Sequence, residues 1–338
     1  MSDYAGKVRR RHRSLLIVEG KHEKEELFWL IFKCFPELKI SEGDVWVYGT
    51  NIYKLYEDIK KEYGDDWAKD ELDIDLPFII SKKEELENIC YKHDFTNVIL
   101  VFDYERHDPQ FSVEKIMEMQ NYFKDSADVG KLYLNYPMVE SYLHLKTLPD
   151  NDFINRKIQV SLQPGDMYKK MVKKESVIEK AVEFPHRVDD LLADEKYGIT
   201  DIKKRRKCCE AILNLTDSEI EEILEDTLRC VGDEKKEKTL KYQLKDWINK
   251  IGYIQEKQTY WEYMRKIIRE IVWHNIYKAD RIQGKENKEE GRIQYEQIDL
   301  VQILHLQNNA SENSINGIIW VLNTCVFMIP DYNFNLIQ

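Results

Sequence analysis

The sequence predicts an α/β fold: a parallel four-stranded sheet flanked by helices, followed by a predominantly α-helical domain. Three observations carry this reading. Four short apolar runs have the length and residue types of buried strands, and helix-period segments lie between them. After about residue 150 the strand-like runs give way to successive helix-period segments. Strands alternating with helices imply parallel pairing through right-handed crossovers.

The elements follow in order. Residues 1–13 form a basic arm containing "KVRRRHR", and the first strand is "SLLIV", Ser14–Val18. Leu27, Leu30, Ile31, Cys34 and Phe35 then share one helical face, and Pro36 closes that helix. The second strand is "VWVY" (Val45–Tyr48), followed by an amphipathic helix over Asn51–Tyr63. An insertion at about 64–96 breaks the alternation, with the acidic "DDWAKDELDIDL", a short apolar "PFII" and a helix expected around Lys82–Tyr91. "VILVF" (Val98–Phe102) is the third strand, and Ser112 is placed to cap a helix over Val113–Phe123. "LYLN" (Leu132–Asn135) is the fourth, and the α/β domain is taken as 14–150.

Beyond it, 151–338 reads as a helical domain. In "MRKIIREIVWHNIYKADRI", Met264, Ile267, Ile268, Ile271, Val272 and Ile276 share a core-packing face, and "SEIEEILEDTL" and "NSINGIIWVLNTCVFMI" are read the same way. The polar run "GKENKEEGR" (284–292) is a loop, and no internal repeat or low-complexity tract is evident.

Bulk properties narrow the function classes. A chain of 338 residues suits two domains better than one, and 43% hydrophobic with 33% charged residues supports a normal core. A net charge of −11 excludes a polycation that coats nucleic acid, but not an enzyme with a local basic patch. The six cysteines (Cys34, Cys90, Cys208, Cys209, Cys230, Cys325) lack CxxC or His/Cys ligand spacing and read as reduced thiols. "SLLIV" is too short for a signal-peptide core, and no apolar run approaches a membrane span, so the expectation is a cytoplasmic protein with no membrane partner. There is no P-loop, no G-x-S-x-G element and no Cys–His nucleophile pair.

What stands out is acid at strand ends. "SLLIVEG" runs into Glu19-Gly20, and "NVILVFDYERHDP" runs into Asp103, Glu105 and Asp108. In "LYLNYPMVESYLHL", Pro137 breaks the strand and Glu140 opens a short helix. Residues two apart in an extended segment share a face, so Asp103 and Glu105 can project together. In open parallel sheets, chemistry gathers beyond the carboxyl ends of the strands. One acid there is commonly a solvated turn residue; recurrence at three strand ends argues for a site. Clustered carboxylates raise one another's pKa unless a cation intervenes, and hard oxygen donors suit Mg2+ or Mn2+.

These residues resemble the Toprim superfamily, which includes topoisomerases, bacterial primases, OLD-family nucleases and ribosomal-RNA maturation nucleases. "LLIVEG" is similar to that family's strand ending in Glu-Gly, and "VILVFDYE" to its Asp-x-Asp strand, with Glu105 standing where aspartate is usual. The family-typical glycine after the second motif is absent, "RHDP" occupying that region, and "YPMVESYLHL" is similar to the downstream acid-bearing segment of the nuclease members. The resemblance covers about residues 12–150. It implies a metal-dependent nuclease in which Glu19 is a general acid or base and Asp103 and Glu105 hold magnesium, while Asp108 and Glu140 serve a second metal or orient water. Glu19, Asp103, Glu105, Asp108 and Glu140 together are the candidate metal-site residues. It further implies DNA or RNA as partner and, for nucleases of this size, a role in bacterial antiviral defence beside a partner ATPase; self-association stays open. The competing reading is a non-catalytic Toprim scaffold that binds a protein.

For nucleic-acid contact the candidates are Lys21, at the helix entrance where backbone N–H groups gather, and Lys203, Lys204, Arg205 and Arg206 in "KKRRKCC". A solvated helix face explains the latter run equally well. His22 and His107 flank the two acidic motifs and could carry protons. His144 follows Glu140 by four residues and could orient it, or pack under the sheet. Tyr104 alternates away from the acids and is expected in the core.

Overall fold

The computed structural model describes residues 13–68, 72–83, 89–162, 165–197, 199–216, 220–231, 233–285, 291–313 and 316–338. All but the last residue of the basic arm, and residues 286–290 of the polar run, lie outside them.

Five strands of the first half are β1 (Ser14–Val18), β2 (Val45–Val47), β3 (Asn97–Asp103), β4 (Lys124–Asp125) and β5 (Gly130–Tyr136). β1 pairs in parallel with β2 on one side and β3 on the other, and β3 pairs in parallel with β5. Three more short strands come from the second half: β6 (Lys157–Gln159) and β7 (Ile318–Trp320), which pair with each other, and β8 (Leu322–Asn323), which adds to β5. The main sheet therefore runs β2-β1-β3-β5-β4 with β8 beside β5, six strands where four were expected. The four parallel strands are the four apolar runs. The additions, β4 and β8, are antiparallel two-residue pieces too short to leave a periodic signal.

Leu15, Leu16, Ile17 and Val18 are all fully buried, as a central parallel strand covered on both faces requires. Each such side chain contributes about 1.5–3 kcal/mol relative to exposure. The connection leaving β1 goes to β2 on one side, and the one leaving β3 goes to β5 on the other. The crevice between β1 and β3 is thus the topological switch point, where open sheets leave room for a ligand.

The helices beside this sheet are α1 (Trp29–Cys34), continuing a π-helical stretch over Glu23–Phe28, then α2 (Ile52–Tyr63), α3 (Leu76–Lys83) and α4 (Val113–Tyr122). The expected face of Leu27, Leu30, Ile31, Cys34 and Phe35 is buried. Asn51 and Ser112 cap α2 and α4 through their side chains. The expected helix around Lys82–Tyr91 falls largely on residues 84–88, outside the described residues, and 89–91 are not helical. The apolar "PFII" contributes the buried face of α3, Leu76–Lys83.

The second half is mainly helical: α5 (Asp166–Glu175), α6 (Glu179–Val182), α7 (Phe184–Ala193), α8 (Ile202–Leu213), α9 (Ile220–Leu228), α10 (Glu234–Ile251), α11 (Tyr260–Ile282), α12 (Arg292–Glu296), α13 (Leu300–Ser311) and α14 (Met328–Tyr332). The apolar face read in α11 is buried throughout. The reading of "NSINGIIWVLNTCVFMI" as one helix is corrected: the segment makes β7 and β8 before a short helical turn. Ile318 and Ile319 are β-branched and follow a glycine, which favours extension over a helix.

That C-terminal segment props the sheet's business end. Asn323 Nδ2 donates to Val139 O (2.9 Å) and Ser141 Oγ (3.1 Å), and its backbone N–H donates to Asn275 Oδ1 on α11 (2.7 Å). Thr324 Oγ1 donates to Leu134 O (2.7 Å), and Cys325 N–H to Asn135 Oδ1 (3.3 Å).

Candidate active site

Glu19 follows the last residue of β1, and its carbonyl still accepts the Gly49 N–H (2.9 Å) beside β2. Its side chain turns the other way, across the switch point, where Oε2 accepts the backbone N–H of Asp103 (3.2 Å). Gly20 then donates its N–H to Glu23 Oε2 (3.0 Å). A Cβ on Gly20 would stand 3.0 Å from that oxygen.

Asp103 is the last residue of β3 and is buried; its Oδ1 accepts the Val139 N–H (2.8 Å), which leaves Oδ2 uncommitted by that bond. Tyr104 points away into the core as expected, its hydroxyl donating to Asn308 Oδ1 (2.6 Å) and lying 2.9 Å from Ser311 Oγ. The strand has ended by then, so simple alternation does not bring Glu105 to the acids. A left-handed backbone at Glu105 (φ 34°), uncommon for a residue with a Cβ, does so instead. Glu140 arrives from β5 on a tight 3-10 turn, Val139–Leu143, and is 5% exposed. Its Oε1 meets Lys169 Nζ of α5 at 2.8 Å and His22 Nε2 at 3.4 Å, while Oε2 is buried with no hydrogen-bond partner.

The carboxylates feel one another. Burial, then the charge of Glu105, pushes Glu19 up to about 8, the Asp103 N–H pulling back against them. Burial holds Asp103 well above the usual carboxylate range, reinforced by Glu19, Glu23, Glu140 and Glu105 in that order. Glu23 is raised by burial and by Glu140, and Glu105 by burial and by Asp108. Burial works against the charge on Lys169, yet its bond to Glu140 raises it overall, and Asp103 and Glu23 add to that.

Glu19, Asp103, Glu105 and Glu140 are thus brought into one electrostatic cluster. Asp108 sits at its margin: Oδ2 accepts from Asn51 Nδ2 (2.6 Å) and Oδ1 from the Gln110 N–H (2.6 Å). Lys21 is exposed and makes no ion pair among the described residues. Lys203, Lys204 and Arg206 are exposed on α8, Arg205 is bound to Asp189 (2.9 Å), and α8 packs on α7 and α9. His22 bridges Glu26 (2.9 Å) and Glu140, whereas His107 is engaged by the Val160 carbonyl. His144 turns from Glu140 to Tyr168 (3.2 Å) and Glu175 (3.1 Å), and burial pushes it down to about 4.

Two site residues escaped the sequence reading. Glu23 had a signal, an acid four residues past Glu19 at a helix entrance. Lys169 had none, because it lies in a lysine-rich helix of the second half, far along the chain from every strand end.

Among the described residues no three His, Cys, Asp or Glu side chains form a ready-made ligand set. Backbone amides engage one oxygen each of Glu19, Glu23 and Asp103, and Lys169 engages Glu140. The donor chemistry nevertheless fits a hard divalent cation: oxygen ligands only, several negative charges against one lysine, and a buried Glu140 Oε2 that no donor meets. The chain matches no family model, no curated protein and no solved structure.

Proposed function

We propose that the chain is a Mg2+- or Mn2+-dependent nuclease of the Toprim type, hydrolysing phosphodiester bonds of DNA or RNA at the rim between β1, β3 and β5. One observation carries the reading: carboxyl groups from three separate strand ends are buried beside one another, those of Glu19 and Asp103 with raised pKa values, and Lys169 is bound to Glu140 among them. Such a cluster is costly unless protons or cations compensate it.

Asp103 Oδ2, Glu105 and Glu140 Oε2 are the oxygens that would hold a cation, with Glu23 and Asp108 outside them. When bound, such an ion polarises a phosphoryl oxygen, lowers the pKa of water and offsets charge on the leaving oxygen. Burial and the charge of Glu105 push the metal-free Glu19 carboxyl up to about 8, near the range where a group exchanges protons at neutral pH, and its Oε2 is held by the Asp103 N–H, so Glu19 would serve as the general acid or base. Lys169, half-exposed and ion-paired among the described residues with Glu140, can turn to a substrate phosphate once the acids are otherwise neutralised. The test is cleavage of DNA and RNA panels with Mg2+ or Mn2+, comparing the wild type with Glu19→Ala and Asp103→Ala. Loss in both variants supports the reading, and equal cleavage in all three overturns it.

The scaffold reading draws on one observation of its own. Among the described residues no ligand set is preformed, Lys169 standing against Glu140. A wild type that cleaves nothing and binds no divalent ion would favour it.

A further inference from the structure

We infer that the chain seats a single-stranded flank of its substrate in a lysine-rimmed apolar groove built by the helical half together with Lys146 and Leu148 at the end of the first half, leading away from the acidic site along α5. The inference rests on the nuclease reading for its direction, though the groove itself is independent of it.

The groove begins as a cavity of about 380 Å3. Its apolar surface comes from Leu148, Val177 and Tyr263, and Lys146, Lys180 and Lys250 stand among them. Leu148 and Val177, 38% and 51% exposed, both line it and so present apolar surface beside the lysines. A second cavity of about 150 Å3 adjoins it, sharing Lys180, Lys250 and Ile251. There Arg187 lies over the Trp247 ring, 4.4 Å from its centroid.

This surface joins the acidic site through short links. Lys169 holds Glu140, and less than two helical turns further along α5 Glu175 pairs with Lys146 (2.8 Å) at the groove's edge. Lys170 and Lys174, exposed on the intervening helix, make no ion pair with a described residue.

The chemistry selects the occupant. Lysines around aromatic and aliphatic floors match a polymer that alternates phosphates with flat apolar rings. A duplex keeps its bases stacked inside and offers the floor nothing; a single strand can lay them on it. The lysine pairs already present are no obstacle. Lys146–Glu175 and Lys250–Asp246 (2.6 Å) are exposed pairs of small net strength, and Lys180 has no hydrogen-bond or ion-pair partner among the described residues.

The experiment is fluorescence anisotropy of full-length protein in EDTA with labelled oligo(dT) and oligo(rU) of about a dozen nucleotides, a duplex of equal length, and a polyglutamate peptide. The wild type is expected to bind the single strands at least about 10-fold tighter than the duplex. Lys180→Gln/Lys250→Gln should weaken that binding about 10-fold and lower the slope of log K against log salt by roughly 1.4, for two lost phosphate contacts. Leu148→Asp should weaken it with less change in slope, and Lys203→Gln/Lys204→Gln should leave it unchanged. Unaltered affinity in the groove variants, loss in the α8 variant, or a groove that holds polyglutamate but no oligonucleotide would each overturn the inference. Groove-dependent strand binding without Mg2+-dependent cleavage would sink the nuclease reading and leave the groove standing.

Discussion

The Asp103 backbone amide donates a hydrogen bond of 3.2 Å to the Glu19 carboxylate, linking two neighbouring parallel strands whose ends are 84 residues apart in sequence. The bond crosses the switch point of the sheet. It fixes one oxygen of Glu19 where burial, then the charges of Glu105 and Glu23, raise its pKa against the pull of that same amide, and the consequences can be measured.

Glu19→Gln keeps an acceptor for the Asp103 amide but removes a carboxyl that must take up a proton on folding at neutral pH. Cleavage is expected to fall by about 10²–10⁴-fold, the usual worth of a positioned acid or base. Thermal stability in EDTA at neutral pH should rise by a few degrees, about 1 kcal/mol. A coupled loss of activity and stability would instead mark Glu19 as structural.

The pH dependence has a defined sign. With its pKa at about 8, folded Glu19 retains a proton that the unfolded chain, with a value near 4.5, has released. Between those values stability attributable to Glu19 falls as pH rises. Lys278, buried and pushed down to about 6 by desolvation and by Arg156, acts in the opposite direction above that value. The informative quantity is therefore the melting-temperature difference between Glu19→Gln and wild type in EDTA. It should be small near pH 5 and grow toward pH 8; a difference that shrinks over that range would contradict the assigned shift.

Lys169→Ala leaves the Glu140 carboxylate buried against Glu23 and Asp103, with His22 at 3.4 Å as the neighbour that can carry positive charge. A destabilisation of about 1–2 kcal/mol is expected, less than for a fully buried pair because Lys169 is half-exposed. Lys169→Ala/Glu140→Gln should recover most of it, and denaturant titration of the four-member cycle reads the coupling. Strict additivity would mean that the 2.8 Å contact carries no energy.

Tyr104→Phe addresses the core beside the site. Its hydroxyl satisfies Asn308 and Ser311 of α13, and both are buried. Removing it is expected to cost about 1–3 kcal/mol by leaving the Asn308 oxygen unpaired, with kcat unchanged. Denaturant midpoints and steady-state rates separate the two effects.

Sequence reading reached the four parallel strands because their apolar runs are long enough to repeat a pattern, and it reached Glu19, Asp103 and Glu140 because each interrupts such a run. Two-residue strands such as Leu322–Asn323 carry no period and were invisible. The turn at Glu105 was misjudged for a related reason: alternation holds only while the strand lasts, and β3 stops at Asp103. Lys169 could not be found at all, since its placement depends on how α5 packs over the Val139–Leu143 turn. The polar supports beneath the site, Asn135 and Asn323, look like ordinary strand-edge residues until the C-terminal segment is seen to return to β5.

The most direct measurement is Mn2+ binding in solution, by calorimetry or by the loss of the free-ion resonance signal, on the wild type and Asp103→Asn. Asparagine can still accept the Val139 N–H, so the turn is kept while the charge is lost. Saturable binding by the wild type, with release of protons and an affinity at least about 10-fold weaker in the variant, is the expected result. Equal binding by both proteins, or none by either, would mean that these acids do not share a metal ion.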